Sequence, residues 1–104
     1  MLEVLGPGLR TTIQDGGRPD ASALGVPRSG AADPLALAAA NILLGNAPDA
    51  AAVEMILLGP ELAVLAPCVV ALAGADFQAK VPEDGRRLRP GTTHLLRAGT
   101  TLAF

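Results

Sequence analysis

The 104-residue sequence predicts a mainly β (α+β) fold, a small barrel or sandwich with one helix near residues 34–44. Three observations support this fold class. Most of the chain consists of short apolar runs interrupted by glycine and proline, as expected for short strands. One segment alone carries both helix-start and helix-stop signals. Half of the residues are hydrophobic, which is enough for the single core that a domain of this length can bury.

The first elements are two short strands at residues 1–5 and 9–13, separated by the turn sequence "GPG". A connection rich in turn residues follows over positions 15–33. Loops longer than about 12–15 residues inside a compact domain are commonly functional or disordered. Leu24 and Val26 predict that this one packs against the domain.

The helix prediction depends on its two ends. Asp33 is a favourable N-cap, Pro34 suits the first helical position, and Gly45 supplies the left-handed residue after the last turn. The helical spacing of apolar residues predicts a core-facing stripe of Leu35, Ala38, Ala39 and Ile42.

Strands dominate after residue 50. Three or four apolar runs extend from residue 51 to 81, Asp84-Gly85 predicts a hairpin turn, and residues 92–104 contain two more strands. A strand at the end of a sequence normally pairs with a neighbour. We therefore expect residues 1–104 to be one domain that forms the N-terminal part of a longer one, although Phe104 completing the sheet is an alternative.

Composition argues against several function classes. The net charge is −2, and the basic cluster at residues 86–89 adjoins "EDG", which is more typical of a hairpin rim than of a nucleic-acid surface. A single cysteine, Cys68, and a single histidine, His94, support neither a disulfide framework nor a metal site. No targeting segment or bilayer-length apolar run is visible, so we expect a cytoplasmic protein without a membrane partner.

Polar side chains concentrate in the first half of the chain, and several have structural explanations. Asp33 would cap the helix, and Asp15 would form an Asx turn before Gly16 and Gly17. Ser29 has the residue type of a nucleophile, but no histidine base lies near it in the sequence. The only sequence support for a Cys68–His94 catalytic dyad is that the chain has one residue of each type.

Asn41 and Glu54 are harder to explain as surface residues. Asparagine is unfavourable inside a helix, so the Asn41 amide is expected to hydrogen-bond to a loop or strand. Glu54 shares a largely apolar strand face and therefore needs a partner, for which Arg18 or Arg28 are candidates. We favour a structural salt bridge over a general base for this carboxylate.

Four segments in order carry a family resemblance: "GLRTTIQDGGR", "GVPRSGAADPLALAAANILLGN", "AVEMILLGPEL" and "VALAGADF". They resemble the opening part of the KipA, or 5-oxoprolinase C-subunit (PxpC), family, whose members are also called biotin-dependent carboxyltransferase and allophanate hydrolase subunit 2. The family is longer than this chain. It also has a glycine and an aromatic residue shortly after the Gly-Arg pair, where this chain reads "GRPDASALG".

The resemblance implies a cyclophilin-like β-barrel and a subunit of an ATP-dependent 5-oxoprolinase, an amidohydrolase that opens 5-oxoproline to glutamate. The implied partners are KipI/PxpB-like and PxpA-like subunits and a small amide or lactam substrate. ATP would be used by the assembled complex, with no cofactor bound directly. The alternatives are a biotin-dependent carboxyltransferase module of the urea carboxylase type, which would receive carboxyl-biotin, and a KipI-binding regulatory protein.

The predicted contact residues lie mainly in the early polar loop. No catalytic residue and no metal ligand are assigned. Arg18 is suited to bidentate binding of a carboxylate. The residues expected to touch substrate or partner are Thr12, Gln14, Asp15, Arg18, Arg28, Ser29 and Asn41.

Overall fold

The computed structural model describes residues 1–17 and 30–104, which contain nine strands and one helix. The elements in chain order are β1 Leu2–Gly6, β2 Arg10–Gln14, α1 Pro34–Leu43, β3 Ala52–Ile56, β4 Glu61–Val64, β5 Cys68–Ala71, β6 Lys80–Val81, β7 Arg86–Arg87, β8 Thr93–Leu96 and β9 Thr101–Ala103.

The described strands form three antiparallel sheets. One sheet has five strands in the order β1-β4-β9-β6-β7, and two further sheets are the pairs β2-β3 and β5-β8. The mainly β class with one helix is confirmed. In this described part of the chain, however, the sheets stay open and do not close into the predicted barrel.

The hydrophobic core joins the five-stranded sheet to the β5-β8 pair. Leu96 of β8 is completely buried and belongs to the same apolar cluster as Val64 of β4, Val81 of β6 and Leu102 of β9. Phe104 is partly buried and packs against this cluster. Aliphatic residues of several strands therefore supply the core, as a chain with only two aromatic residues requires.

The signals at both ends of α1 are confirmed. The Asp33 carboxylate accepts a hydrogen bond from the Ala36 N–H at 3.0 Å, and Gly45 follows the helix with a φ of 76°. At ten residues, this helix is too short to cross a bilayer, and no other helix in the described ranges could do so.

The face that α1 buries differs from the predicted stripe. Leu37 and Asn41 are buried, whereas Leu35 is 84% exposed and Ile42 is 62% exposed. The prediction was wrong because the helix is apolar on nearly every side, so spacing alone does not identify the inner face.

The turn between β1 and β2 connects two strands that belong to different sheets. β1 pairs with β4, and β2 pairs with β3. Gly8 has a φ of 67°, and a Cβ at this position would lie 2.4 Å from the Leu58 carbonyl oxygen. Glycine is therefore required where the "GPG" turn crosses the segment that follows β3.

Candidate functional site

The β2-β3 pair presents a polar face built from residues of both strands. Thr12 lies directly opposite Glu54, and Gln14 lies opposite Ala52. Opposite residues of antiparallel strands share a face, so Thr12, Gln14 and Glu54 lie on the same side of this pair. The Gln14 Nε2 donates a hydrogen bond to the Thr12 hydroxyl at 3.1 Å, which orients the Gln14 amide.

Glu54 links this polar face to the segment that precedes α1. Its Oε2 accepts a hydrogen bond from the Ala32 N–H at 2.8 Å. The carboxylate therefore positions the chain immediately before the helix cap, in agreement with a structural role. The predicted salt-bridge partners, Arg18 and Arg28, lie outside the described residues.

Asp15 forms the predicted Asx turn. Its Oδ1 accepts a hydrogen bond from the Gly17 N–H at 2.8 Å, and its backbone carbonyl accepts one from the Ala31 N–H at 3.0 Å. Gly30 has a φ of 93°, and a Cβ there would lie 2.7 Å from the Gly17 nitrogen. The backbone at positions 15–17 is thus in direct contact with that at positions 30–31.

Asn41 is 3% exposed, and its amide joins α1 to the loop that leads into β3. The Nδ2 donates to the Pro48 carbonyl at 3.2 Å and to the Ala50 carbonyl at 2.8 Å. Its Oδ1 accepts a hydrogen bond from the Asn46 Nδ2 at 3.4 Å. The expected bonding of this amide to a loop is confirmed, and it explains why asparagine occurs inside the helix.

A cavity of about 550 Å³ lies between α1, β3 and the strands that follow. This volume is in the range of small-molecule sites. Its described lining is mostly apolar, with alanines from α1 and aliphatic residues from β3 and β5. Six polar side chains also line it: Gln14, Asp33, Asn41, Asn46, Glu54 and Asp76.

The polar wall of this cavity favours ligands that carry N–H groups. The carboxylates of Asp33, Glu54 and Asp76 are hydrogen-bond acceptors, and the amides of Gln14 and Asn41 can accept as well as donate. Across residues 1–17 and 30–104, no cluster of three or more His, Cys, Asp or Glu side chains could hold a metal ion. The arrangement therefore suits binding of a group that donates hydrogen bonds, beside an apolar wall.

The structure brings some of the predicted contact residues together. Gln14 and Asn41 both line the cavity, and Thr12 supports Gln14 from the same strand. Asp15 lies in the adjoining turn and is exposed. Arg18, Arg28 and Ser29 lie outside the described residues. The contact roles of all seven residues stay predictions.

The cavity also contains residues that the predicted set omitted. Asp33, Glu54, Asp76 and Phe77 line it, although none was proposed as a contact residue. The Glu54 signal was present in the sequence as a carboxylate inside an apolar strand. Asp76 and Phe77 line the cavity because of the way the chain folds, and no feature of the neighbouring sequence marks them as contact residues.

His94 and Cys68 have structural surroundings. The His94 Nε2 lies 3.0 Å from the Arg89 carbonyl oxygen, to which the ring donates when Nε2 carries a proton. Cys68 is partly buried and packs against the hydrophobic core. In the β5-β8 pair, Cys68 lies opposite Leu96, and His94 lies opposite Val70. These contacts give both residues a structural explanation.

Comparison with known proteins identifies related sequences and structures. Residues 24–104 match the family model described as carboxyltransferase domain, subdomain A and B. The chain is 40% identical over 102 residues to the C subunit of 5-oxoprolinase from Haemophilus influenzae, covering 98% of this chain and 32% of that protein. It therefore spans about a third of the length of this relative.

Solved structures agree with these matches. The crystal structure of TTHA0988 superposes with a TM-score of 0.91 at 38% identity, covering 99% of this chain and 38% of the other. The urea amidolyase of Kluyveromyces lactis gives a TM-score of 0.89 at 30% identity, over 98% of this chain and 6% of that protein. The sequence and the fold thus agree that this chain belongs to the carboxyltransferase domain family, subdomain A and B.

Proposed function

We propose that this chain acts within a non-autonomous subunit of a cytoplasmic, ATP-dependent 5-oxoprolinase that opens 5-oxoproline to glutamate. Relatives from two bacteria that are named as the C subunit of 5-oxoprolinase support this assignment. In this proposal, partner subunits of the A and B types complete the enzyme, and the assembled complex consumes ATP.

The observation that carries the proposal is the polar wall of the cavity. Glu54 and Gln14 are two of the six polar side chains that line this mostly apolar cavity, where a lactam ring would find apolar contacts and a hydrogen-bond acceptor for its N–H. Glu54 accepts one backbone N–H through Oε2, and its second oxygen provides further acceptor capacity. Its role in this proposal is to bind and orient the amide.

Reconstitution with the A and B subunits tests the proposal. We expect ATP hydrolysis that depends on 5-oxoproline and requires this protein. The Glu54→Gln variant keeps an acceptor for the Ala32 N–H but removes the charge, and it should lower kcat/KM by about tenfold or more. Glu61→Gln, at an exposed position of β4, is the matched control and should leave kcat/KM unchanged. Equal hydrolysis in the absence of this protein would contradict the proposal.

A carboxyltransferase module is the second candidate, favoured by the urea amidolyase and urea carboxylase structures among the relatives. In that case the same cavity would hold urea or a related amide while the carboxyl group arrives from carboxyl-biotin. Transfer of labelled carboxyl from carboxyl-biotin to urea, measured with the complete protein, is the expected result. Absence of transfer with urea and with simple amides would remove this candidate.

A further inference from the structure

The hairpin formed by β6 and β7 places two cations directly opposite each other. Lys80 is the register partner of Arg87, and both are exposed. Opposite side chains on antiparallel strands have Cβ atoms about 4.5–5.5 Å apart, and like charges in this arrangement destabilise the pair. Folding alone does not explain why two positive charges occupy these positions.

Arg89 adds a third positive charge on the same side. Leu88, between Arg87 and Arg89, is 2% exposed, and its N–H donates to the Ala79 carbonyl at 2.9 Å. The ladder therefore continues past β7, and alternation places Arg87 and Arg89 together on the outer face. Both line a surface depression with Asp76, Leu88 and Pro90.

Positive charge exceeds negative charge at this depression. Within the described ranges, the ion pair found on this hairpin joins Arg86 to Asp84 at 3.9 Å, and it does not involve Lys80, Arg87 or Arg89. Asp76 is the one carboxylate lining the depression, and its Oδ1 already accepts the Gln78 N–H at 2.7 Å. Two arginines thus line the depression with a single carboxylate that is already hydrogen-bonded, and Lys80 lies opposite one of them on the neighbouring strand.

The depression adjoins the cavity beside α1 and β3. Asp76 and Pro90 line both spaces, so the arginine pair lies at one end of the mostly apolar cavity of about 550 Å³. Planar guanidinium groups bind carboxylate and phosphate through paired hydrogen bonds. A cavity of this size next to two arginines suits a small molecule better than an acidic polypeptide.

We propose that Arg87 and Arg89, with Lys80 beside them, bind the oxyanion of a small molecule, a carboxylate or a phosphate, whose uncharged part occupies the adjoining cavity. This binding requires neither ATP nor a partner subunit. A test of this binding is therefore independent of the test of the 5-oxoprolinase proposal.

Titration of the full chain with three probes tests the inference by two-dimensional ¹⁵N–¹H NMR at low ionic strength. The probes are inorganic phosphate, 5-oxoproline, and the neutral lactam 2-pyrrolidinone. We expect saturable shifts of the Arg87, Leu88 and Arg89 signals with at least one of the two anions, and the anion that binds more tightly identifies the group recognised. The neutral lactam should leave these signals unshifted.

Charge variants distinguish this site from general attraction to positive charge. Arg87→Gln and Arg89→Gln should each weaken anion binding by about tenfold, since each removes charge-assisted hydrogen bonds. Arg97→Gln, at an exposed position that does not line the depression, is the matched control and should leave the affinity unchanged. Arg87→Gln should also fold with an undiminished Tm, because it relieves repulsion with Lys80.

Three results would overturn the inference. The first is no saturable shift with either anion. The second is equal weakening by Arg97→Gln. The third is binding of polyglutamate with no binding of either small anion, which would indicate an acidic protein partner instead.

Discussion

Gly59 shows how closely single residues are fitted in this fold. A Cβ at this position would lie 2.2 Å from the Cβ of Phe104 and 3.1 Å from the Met55 sulfur. Phe104 in turn packs against the hydrophobic core. The absence of a side chain at Gly59 therefore allows one of the two aromatic residues of the chain to reach that core.

Substitution Gly59→Ala is expected to lower the free energy of unfolding by about 1–3 kcal/mol, because the added methyl forces Phe104 to move. Urea denaturation measures this change. Gly6→Ala is the matched control, since the nearest atom to its added Cβ is 4.0 Å away. Equal stability of the Gly59→Ala and wild-type proteins would contradict the packing described here.

At the scale of single residues, some residues of the candidate site could be predicted from the sequence and others could not. Glu54 and Asn41 were informative because each is a polar residue in an apolar element, and both have the hydrogen-bond partners that such a position requires. Asp76 gave no such signal, because its place in the cavity depends on distant parts of the chain.

The turn between β6 and β7 is held to β9 through Glu83. The Thr101 hydroxyl, together with backbone N–H groups of Thr101 and Glu83, hydrogen-bonds the carboxylate and lowers the pKa of Glu83 below its ordinary value of 4.5. A lowered pKa stabilises the fold at pH values above 4.5, and this contribution is lost as the pH falls through the lowered pKa.

Substitution Thr101→Val should raise the pKa of Glu83 part of the way towards 4.5, since the side-chain donor is lost while the backbone donors remain. An NMR titration of the Glu83 carboxyl carbon measures the shift. Thr100→Val is the control, because the Thr100 hydroxyl donates to the Arg97 carbonyl and not to Glu83. An unchanged Glu83 titration in Thr101→Val would exclude this hydrogen bond.

At the scale of elements, local signals predicted boundaries well. The α1 cap and the Asp84-Gly85 turn are both present, and Asp84 Oδ1 accepts the Arg86 N–H at 2.8 Å within that turn. These features depend on residues that are close in sequence. The inner face of α1 could not be predicted in this way, since alanine and leucine occur on all of its sides.

At the scale of the whole molecule, a substitution at Leu96 tests whether the β5-β8 pair and the five-stranded sheet share one core. It belongs to the β5-β8 pair yet is buried among residues of the five-stranded sheet. Leu96→Ala should lower the free energy of unfolding by about 2–5 kcal/mol, through lost burial and a remaining cavity. Thermal or urea denaturation, followed by circular dichroism, measures the loss.

The neighbouring Leu95 provides the control for this prediction. It is 58% exposed on the same strand, so Leu95→Ala should change the free energy of unfolding by about 0.5 kcal/mol or less. Similar losses for the two variants would indicate that the β5-β8 pair does not share the core.

Apart from the β6-β7 hairpin, the pairing of strands could not be predicted from the sequence. Strand positions were predicted from composition, but β1 pairs with β4 and β2 with β3, across long stretches of chain. Such pairings depend on which apolar faces meet in the folded core, and local turn residues contain no information on that choice.

The backbone contact between positions 15–17 and 30–31 joins the end of β2 to the segment that leads into α1. Asp15 makes both anchoring contacts, because its side chain accepts the Gly17 N–H and its backbone carbonyl accepts the Ala31 N–H. Gly17 is also the first residue of "GRPDASALG", so the departure of this chain from the family begins two residues after an anchored position.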